Sequence, residues 1–96
     1  MIRHICMFTL KGDNKEKAVA EFTDKAQMLR ELEMIKGFEV VSNVANTPAT
    51  NYDVSLIFDF ESVDALNEYQ KAPKHLEFGE YVKTVRIDRA CIDYEF

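Results

Sequence analysis

Tyr69 and His75 lie six positions apart, on either side of a proline, in the run Tyr69-Gln70-Lys71-Ala72-Pro73-Lys74-His75. Histidine is the side chain whose ordinary pKa sits nearest neutrality, so it can take a proton at neutral pH. A tyrosine hydroxyl can donate to a developing oxyanion or hold a bound carbonyl. Together they suit an enolisation or aldol step, in which a proton leaves carbon while charge gathers on oxygen. His75 and Tyr69 are therefore the candidate catalytic pair. A plainer role also fits them, since residues flanking a proline break can satisfy helix ends through hydrogen bonds. The chain's other histidine, His4, falls on a strand face with Cys6 and Phe8. A histidine on such a face also fits a hydrogen-bonded core role.

The elements that must position these residues can be read in chain order. Ile2 to Leu10 alternates as a strand, with Ile2, His4, Cys6, Phe8 and Leu10 on one face and Arg3, Ile5, Met7 and Thr9 on the other. Both faces carry apolar groups, so both are expected to be covered. Asp13 with Glu16 has the spacing of a capping box. It predicts a helix running to about Ile35, with Phe22, Ala26, Leu29 and Leu32 in its apolar stripe and Gly37 as a left-handed cap. Phe38 to Asn46 alternates as a second strand, and Asn46 to Asn51 is a polar loop containing Pro48.

Tyr52 to Phe60 is the third and most apolar strand, with Val54, Leu56, Phe58 and Phe60 sharing a face. Ser62 is placed to cap a helix that Pro73 ends, and Pro73 can open the next helix at its first turn. That helix reads from Lys74 to about Lys83, and a last strand runs from Val85 to Phe96. The proline break lets Tyr69, late in one helix, and His75, early in the next, converge on one pocket mouth.

The order β-α-β-β-α-(α)-β is the ferredoxin-like arrangement of the α+β class. Right-handed crossovers then place the helices on one face of a four-stranded antiparallel sheet, with the first and third strands central. The opposite sheet face has no helix of its own. Its apolar side chains predict a homodimer packed through that open face, forming a dimeric α+β barrel. Within this arrangement His4 is expected to point into the barrel near His75. Phe8 and Phe58 are expected to join His4 in lining a ligand site. Residues 1–96 are expected to form one domain.

Several stretches resemble one family. They are Met1-Ile2-Arg3-His4-Ile5, the Gly37-Phe38 turn, Tyr52-Asp53-Val54, Phe58-Asp59-Phe60-Glu61-Ser62, the Tyr69 to His75 run, and Asp88-Arg89-Ala90-Cys91-Ile92-Asp93-Tyr94. The chain is similar over nearly its whole length to the stress-responsive A/B barrel domain (Dabb) family. That resemblance implies a ferredoxin-like fold and a dimeric α+β barrel. A plant branch of the family closes a linear polyketide by intramolecular aldol condensation. Its tyrosine and histidine have the spacing of Tyr69 and His75, and its N-terminal histidine matches His4.

The expected function is thus binding of a small apolar or carbonyl-bearing molecule, with cyclase- or isomerase-like acid–base chemistry of the lyase type. The alternatives are a non-enzymatic stress-response or interaction protein and a cofactor-independent monooxygenase-like barrel. Two histidines without a carboxylate cluster make a poor metal site, and neither a metal nor another cofactor is expected.

A net charge of −5 disfavours nucleic acid and anionic membranes as partners, and the third strand lacks the basic-aromatic run of an RNA-recognition module. With no secretory leader pattern and no long apolar run, a cytoplasmic location is expected. Cys6 and Cys91 match no zinc or redox spacing. Both are expected to be reduced, buried small hydrophobes, possible neighbours on the first and last strands.

Overall fold

The computed structural model describes residues Met1–Phe96. Strand β1 (Ile2–Leu10) leads to helix α1 (Lys15–Ala26), a 3₁₀ segment (Gln27–Glu31) and strand β2 (Gly37–Ser42). Strand β3 (Val54–Phe60), helices α2 (Val63–Lys71) and α3 (Pro73–Val85) and strand β4 (Arg86–Glu95) complete it. The sheet order is β2-β3-β1-β4 and every neighbouring pair is antiparallel, so the fold is ferredoxin-like α+β with β1 and β3 central.

The period-2 pattern of the central strands decides which face meets the helices. Cys6, Phe8 and Leu10 of β1 and Val54, Leu56, Phe58 and Phe60 of β3 are buried. They pack against Phe22, Ala26 and Leu29 from the first helical segment and Leu66, Tyr69, Phe78 and Val82 from α2 and α3. Phe58 stacks on Phe38 with ring centroids 4.6 Å apart and meets the edge of Tyr69 at 5.8 Å. The other sheet face carries Ile5, Met7 and Ile57 from the central strands, and no element of the chain covers it. On its β4 side Ile92 and Tyr94 are exposed.

Local signals set the joints. Ser62 caps α2 by accepting from the Ala65 amide at 3.1 Å. Pro73 occupies the first turn of α3, where its missing N–H costs no helical bond. The Asp53 carboxylate accepts from the Leu10 amide at 2.8 Å and from Lys15 Nζ at 3.1 Å, tying the start of β3 to the end of β1 and the start of α1.

Four readings are corrected. The cap of α1 is Asn14, whose Oδ1 accepts from the Lys17 amide, rather than Asp13 with Glu16. The helix stops at Ala26 and tightens into the 3₁₀ segment, which keeps Leu29 buried while the chain turns towards β2. Gly37 opens β2 without a positive φ. It is small because a Cβ there would lie 2.5 Å from the Asp59 carboxylate, which is held bidentately by Arg3 at 2.8 and 3.1 Å. Finally, Cys6 and Cys91 are joined as a disulfide instead of remaining reduced. The β1–β4 register sets them directly opposite, with Cα atoms 4.2 Å apart, a cross-strand approach that brings the sulfurs together.

Candidate functional site

A cavity of about 260 Å³ opens between the sheet and helices α2 and α3. That is just under the roughly 300–1,000 Å³ typical of small-molecule sites. Its apolar wall is Phe8 and Leu56 from the sheet and Phe78 and Val82 from α3. Tyr69, His75 and His4 supply its acid–base groups. A second hollow of about 360 Å³ lies on the open sheet face beside Met7, Val41 and Tyr52, and it holds no histidine.

Tyr69 comes from the last turn of α2 and His75 from the first turn of α3, and the Ala72-Pro73 break turns one towards the other. Their ring centroids are 4.5 Å apart. His4 approaches the same tyrosine from β1 at 6.2 Å. The Tyr69 ring is almost wholly buried against Phe58 and Phe60. Burial pushes its hydroxyl well above the ordinary phenol value, so it stays a proton-bearing donor.

His75 is half-buried, and burial lowers its pKa, a pull the Gln70 backbone opposes and the nearby His4 and Arg89 reinforce. Its Nδ1 is enclosed by the protein, which leaves Nε2 as the ring nitrogen able to meet a ligand. A neutral imidazole of this kind accepts a proton.

His4 is 5% exposed and its Nδ1 pairs with Asp93 Oδ1. The ionised carboxylate can only accept, so Nδ1 carries the proton and Nε2 is free. This is a base oriented by a carboxylate.

The location of His4 differs from the expectation. It stands near His75, but on the helix-facing side of the sheet. The interior expected between two sheets lies on the opposite face. His4, Tyr69 and His75 meet beneath the helices, away from the open sheet face. The reason is the strand alternation itself, since His4 shares its face with Cys6, Phe8 and Leu10, all packed under the helices. Phe8 reaches the cavity wall. Phe58 does not, because it is enclosed one layer behind, between Phe38 and Tyr69.

Asp93, Arg86 and Arg89 were not anticipated. A signal for Asp93 existed in the pairing of Cys6 with Cys91, because moving two residues along both antiparallel strands sets His4 opposite Asp93. Arg86 and Arg89 reach the cavity from β4, with Lys83 beside them at the end of α3. Nothing in the local sequence distinguishes these cations from a solvated edge. No group of three or more His, Cys, Asp or Glu side chains gathers as a metal site, and no helix is long and apolar enough to cross a membrane.

A four-stranded antiparallel sheet backed by helices, with a Tyr/His-lined cavity beneath them, defines a ferredoxin-like α+β domain of the A/B barrel kind. The family profile described as Stress Responsive A/B Barrel Domain matches residues 2–96, so the chain belongs to the Dabb family. Among solved structures, it is similar to a dimeric ferredoxin-like protein of unknown function from Bacteroides fragilis. The two are 26% identical with a TM-score of 0.81, over 99% of this chain and 95% of that one. A Dabb protein from Mesorhizobium loti is 24% identical with a TM-score of 0.84, over the same shares of the two chains, 99% and 95%. A hydroxynitrile lyase from Passiflora edulis is 16% identical with a TM-score of 0.81, over 97% and 90%. The last two likenesses carry the fold alone. A comparison with curated protein sequences finds no match.

Proposed function

We propose that the cavity binds a small carbonyl-bearing molecule and moves a proton at the carbon next to that carbonyl. The observation that carries this reading is the 4.5 Å approach of the Tyr69 and His75 rings inside one apolar cavity. The Tyr69 hydroxyl donates to the carbonyl oxygen. His75 Nε2 takes the α-proton, the C–H electron pair becomes the enolate double bond, and the charge settles on the oxygen that Tyr69 holds. The protonated imidazole then returns its proton to carbon. In a substrate with a second carbonyl, the enolate carbon can instead attack that carbonyl and close a ring; the C=O π pair moves to oxygen, and the alkoxide takes the proton from the His75 imidazolium. In this reading His4, held by Asp93, exchanges a proton with the Tyr69 side of the same cavity, a role that its 6.2 Å ring separation from Tyr69 supports. No step calls for a cofactor.

The chain works as a homodimer in this proposal, paired through the open sheet face. Support comes from the dimeric Bacteroides fragilis protein, which the chain matches over nearly its whole length, and from Ile92 and Tyr94 exposed on that face.

The test is exchange of α-protons of aryl and alkyl ketones in D₂O, followed by NMR. Wild type should catalyse exchange without taking up oxygen. His75→Ala and Tyr69→Phe should each lose it by roughly 10²-fold or more while keeping a wild-type thermal transition. Exchange that survives both substitutions, or its absence from wild type across the ketone series, counts against the reading.

A further inference from the structure

The mouth of the cavity is cationic, although the chain has 17 acidic and 12 basic residues and a net charge of −5. Lys83, Arg86 and Arg89 line it, and no Asp or Glu does. Elsewhere the basic side chains are commonly paired, as in Arg3 with Asp59, Lys15 with Asp53 and Lys74 with Glu31. Lys83 pairs with Glu80 along its own helix at 3.3 Å. Arg86 has no ion pair, and Arg89 contacts only sulfur, at 2.9 Å from Cys91 Sγ and 3.5 Å from Cys6 Sγ. Sulfur is a weak acceptor and leaves a guanidinium's capacity largely unused. Two guanidinium forks without carboxylate partners thus stand at the edge of an apolar cavity whose depths hold Tyr69 and His75.

We infer that Arg86 and Arg89 form an anion subsite that seats the carboxylate of a small keto acid, whose apolar part lies on Phe8, Leu56, Phe78 and Val82. The inference rests on the carbonyl-binding reading of the cavity and names its substrate class. A guanidinium matches a carboxylate with two parallel N–H donors, so it fixes orientation as well as charge. With the acid held at the mouth, the rest of the molecule runs inward and its ketone approaches Tyr69. An ester or amide of the same acid fills the cavity equally well but gives the arginines no charge to meet.

The probe is 4-oxo-4-phenylbutanoate, compared with its methyl ester and with the matching phosphonate. Binding to the full chain is measured by calorimetry at low and moderate salt. Wild type should bind the acid at least about tenfold more tightly than the ester, with the preference shrinking as salt rises. Arg86→Gln and Arg89→Gln should each remove most of that preference and leave ester binding unchanged, while Arg86→Lys and Arg89→Lys retain part of it. Tyr69→Phe should weaken both ligands and keep the ratio between them.

Equal binding of acid and ester by wild type, or a preference that survives both glutamine variants, overturns the anion subsite while the carbonyl reading stands. A phosphonate bound far more tightly than the acid overturns the carboxylate assignment in favour of a phosphate-type ligand. Failure of wild type to bind either the acid or the ester overturns the cavity reading and the subsite with it.

Discussion

His4 stands directly across the β1–β4 ladder from Asp93, and its Nδ1 donates to the Asp93 carboxylate. The pair joins two residues from opposite ends of the chain. One is buried and the other has a side chain 46% exposed, so the carboxylate orients the imidazole from the solvent side. Asp93 acts as a positioning residue in the proposed chemistry.

Asp93→Asn should therefore slow α-proton exchange by roughly ten- to a hundredfold with little change in ligand affinity, since the amide no longer favours the Nδ1–H form of His4. The discriminating readout is the split between kcat and KM, together with the imidazole NMR signals of His4. An unchanged tautomer and an unchanged kcat would remove Asp93 from the chemistry.

The depressed pKa of His75 has a pH consequence with a definite sign. Folding holds this imidazole neutral below its ordinary value of 6.5, so between the folded and unfolded pKa the unfolded chain binds more protons. Stability should fall as pH drops through about 6.5, and level off below the folded pKa. Urea unfolding from pH 8 to 5 should show this slope, and His75→Gln should flatten it. Activity that needs neutral His75 should likewise persist below pH 6.5. A wild-type slope of the opposite sign would contradict the burial argument.

Phe58 touches the back of Tyr69 and is fully enclosed. Phe58→Ala should cost about 3–5 kcal/mol of stability through the cavity it leaves. Phe58→Leu should cost less and lower the exchange rate by loosening Tyr69, with ligand affinity almost unchanged. Denaturant unfolding and binding on the same samples separate the two effects. A large affinity loss in Phe58→Leu without a stability loss would return Phe58 to the ligand.

The Cys6–Cys91 bond spans a sequence separation of 85. Cys91→Ser, or reductant added to wild type, should lower unfolding stability by about 2–4 kcal/mol, because the released chain gains conformational freedom when unfolded. Matched urea curves with and without reductant check this, and coincident curves would show that the bond adds no stability.

Much of the frame was legible in local pattern. Alternation from Ile2 to Leu10 and from Val54 to Phe60, the Ser62 cap and the Pro73 break are short-range signals, and they placed Tyr69 beside His75. What escaped depends on contacts between distant segments. The side of the sheet that His4 faces follows from the helix packing, which a single strand does not declare. Asp93 became its partner through ladder register, and Gly37 owes its small size to the Arg3–Asp59 pair. The α1 boundary was overrun because Leu29 and Leu32 continue a helical spacing even where the backbone has tightened. Arg86 and Arg89 look like solvated edge residues until α3 and β4 are folded around a common cavity.

The side chains named in the cavity lie on the helix-facing side of the sheet, away from the open face through which the copies are proposed to pair. Ligand counting should therefore give one molecule per chain. Mixing subunits of Tyr69→Phe and His75→Ala should not restore exchange, since neither copy can lend the other its missing group.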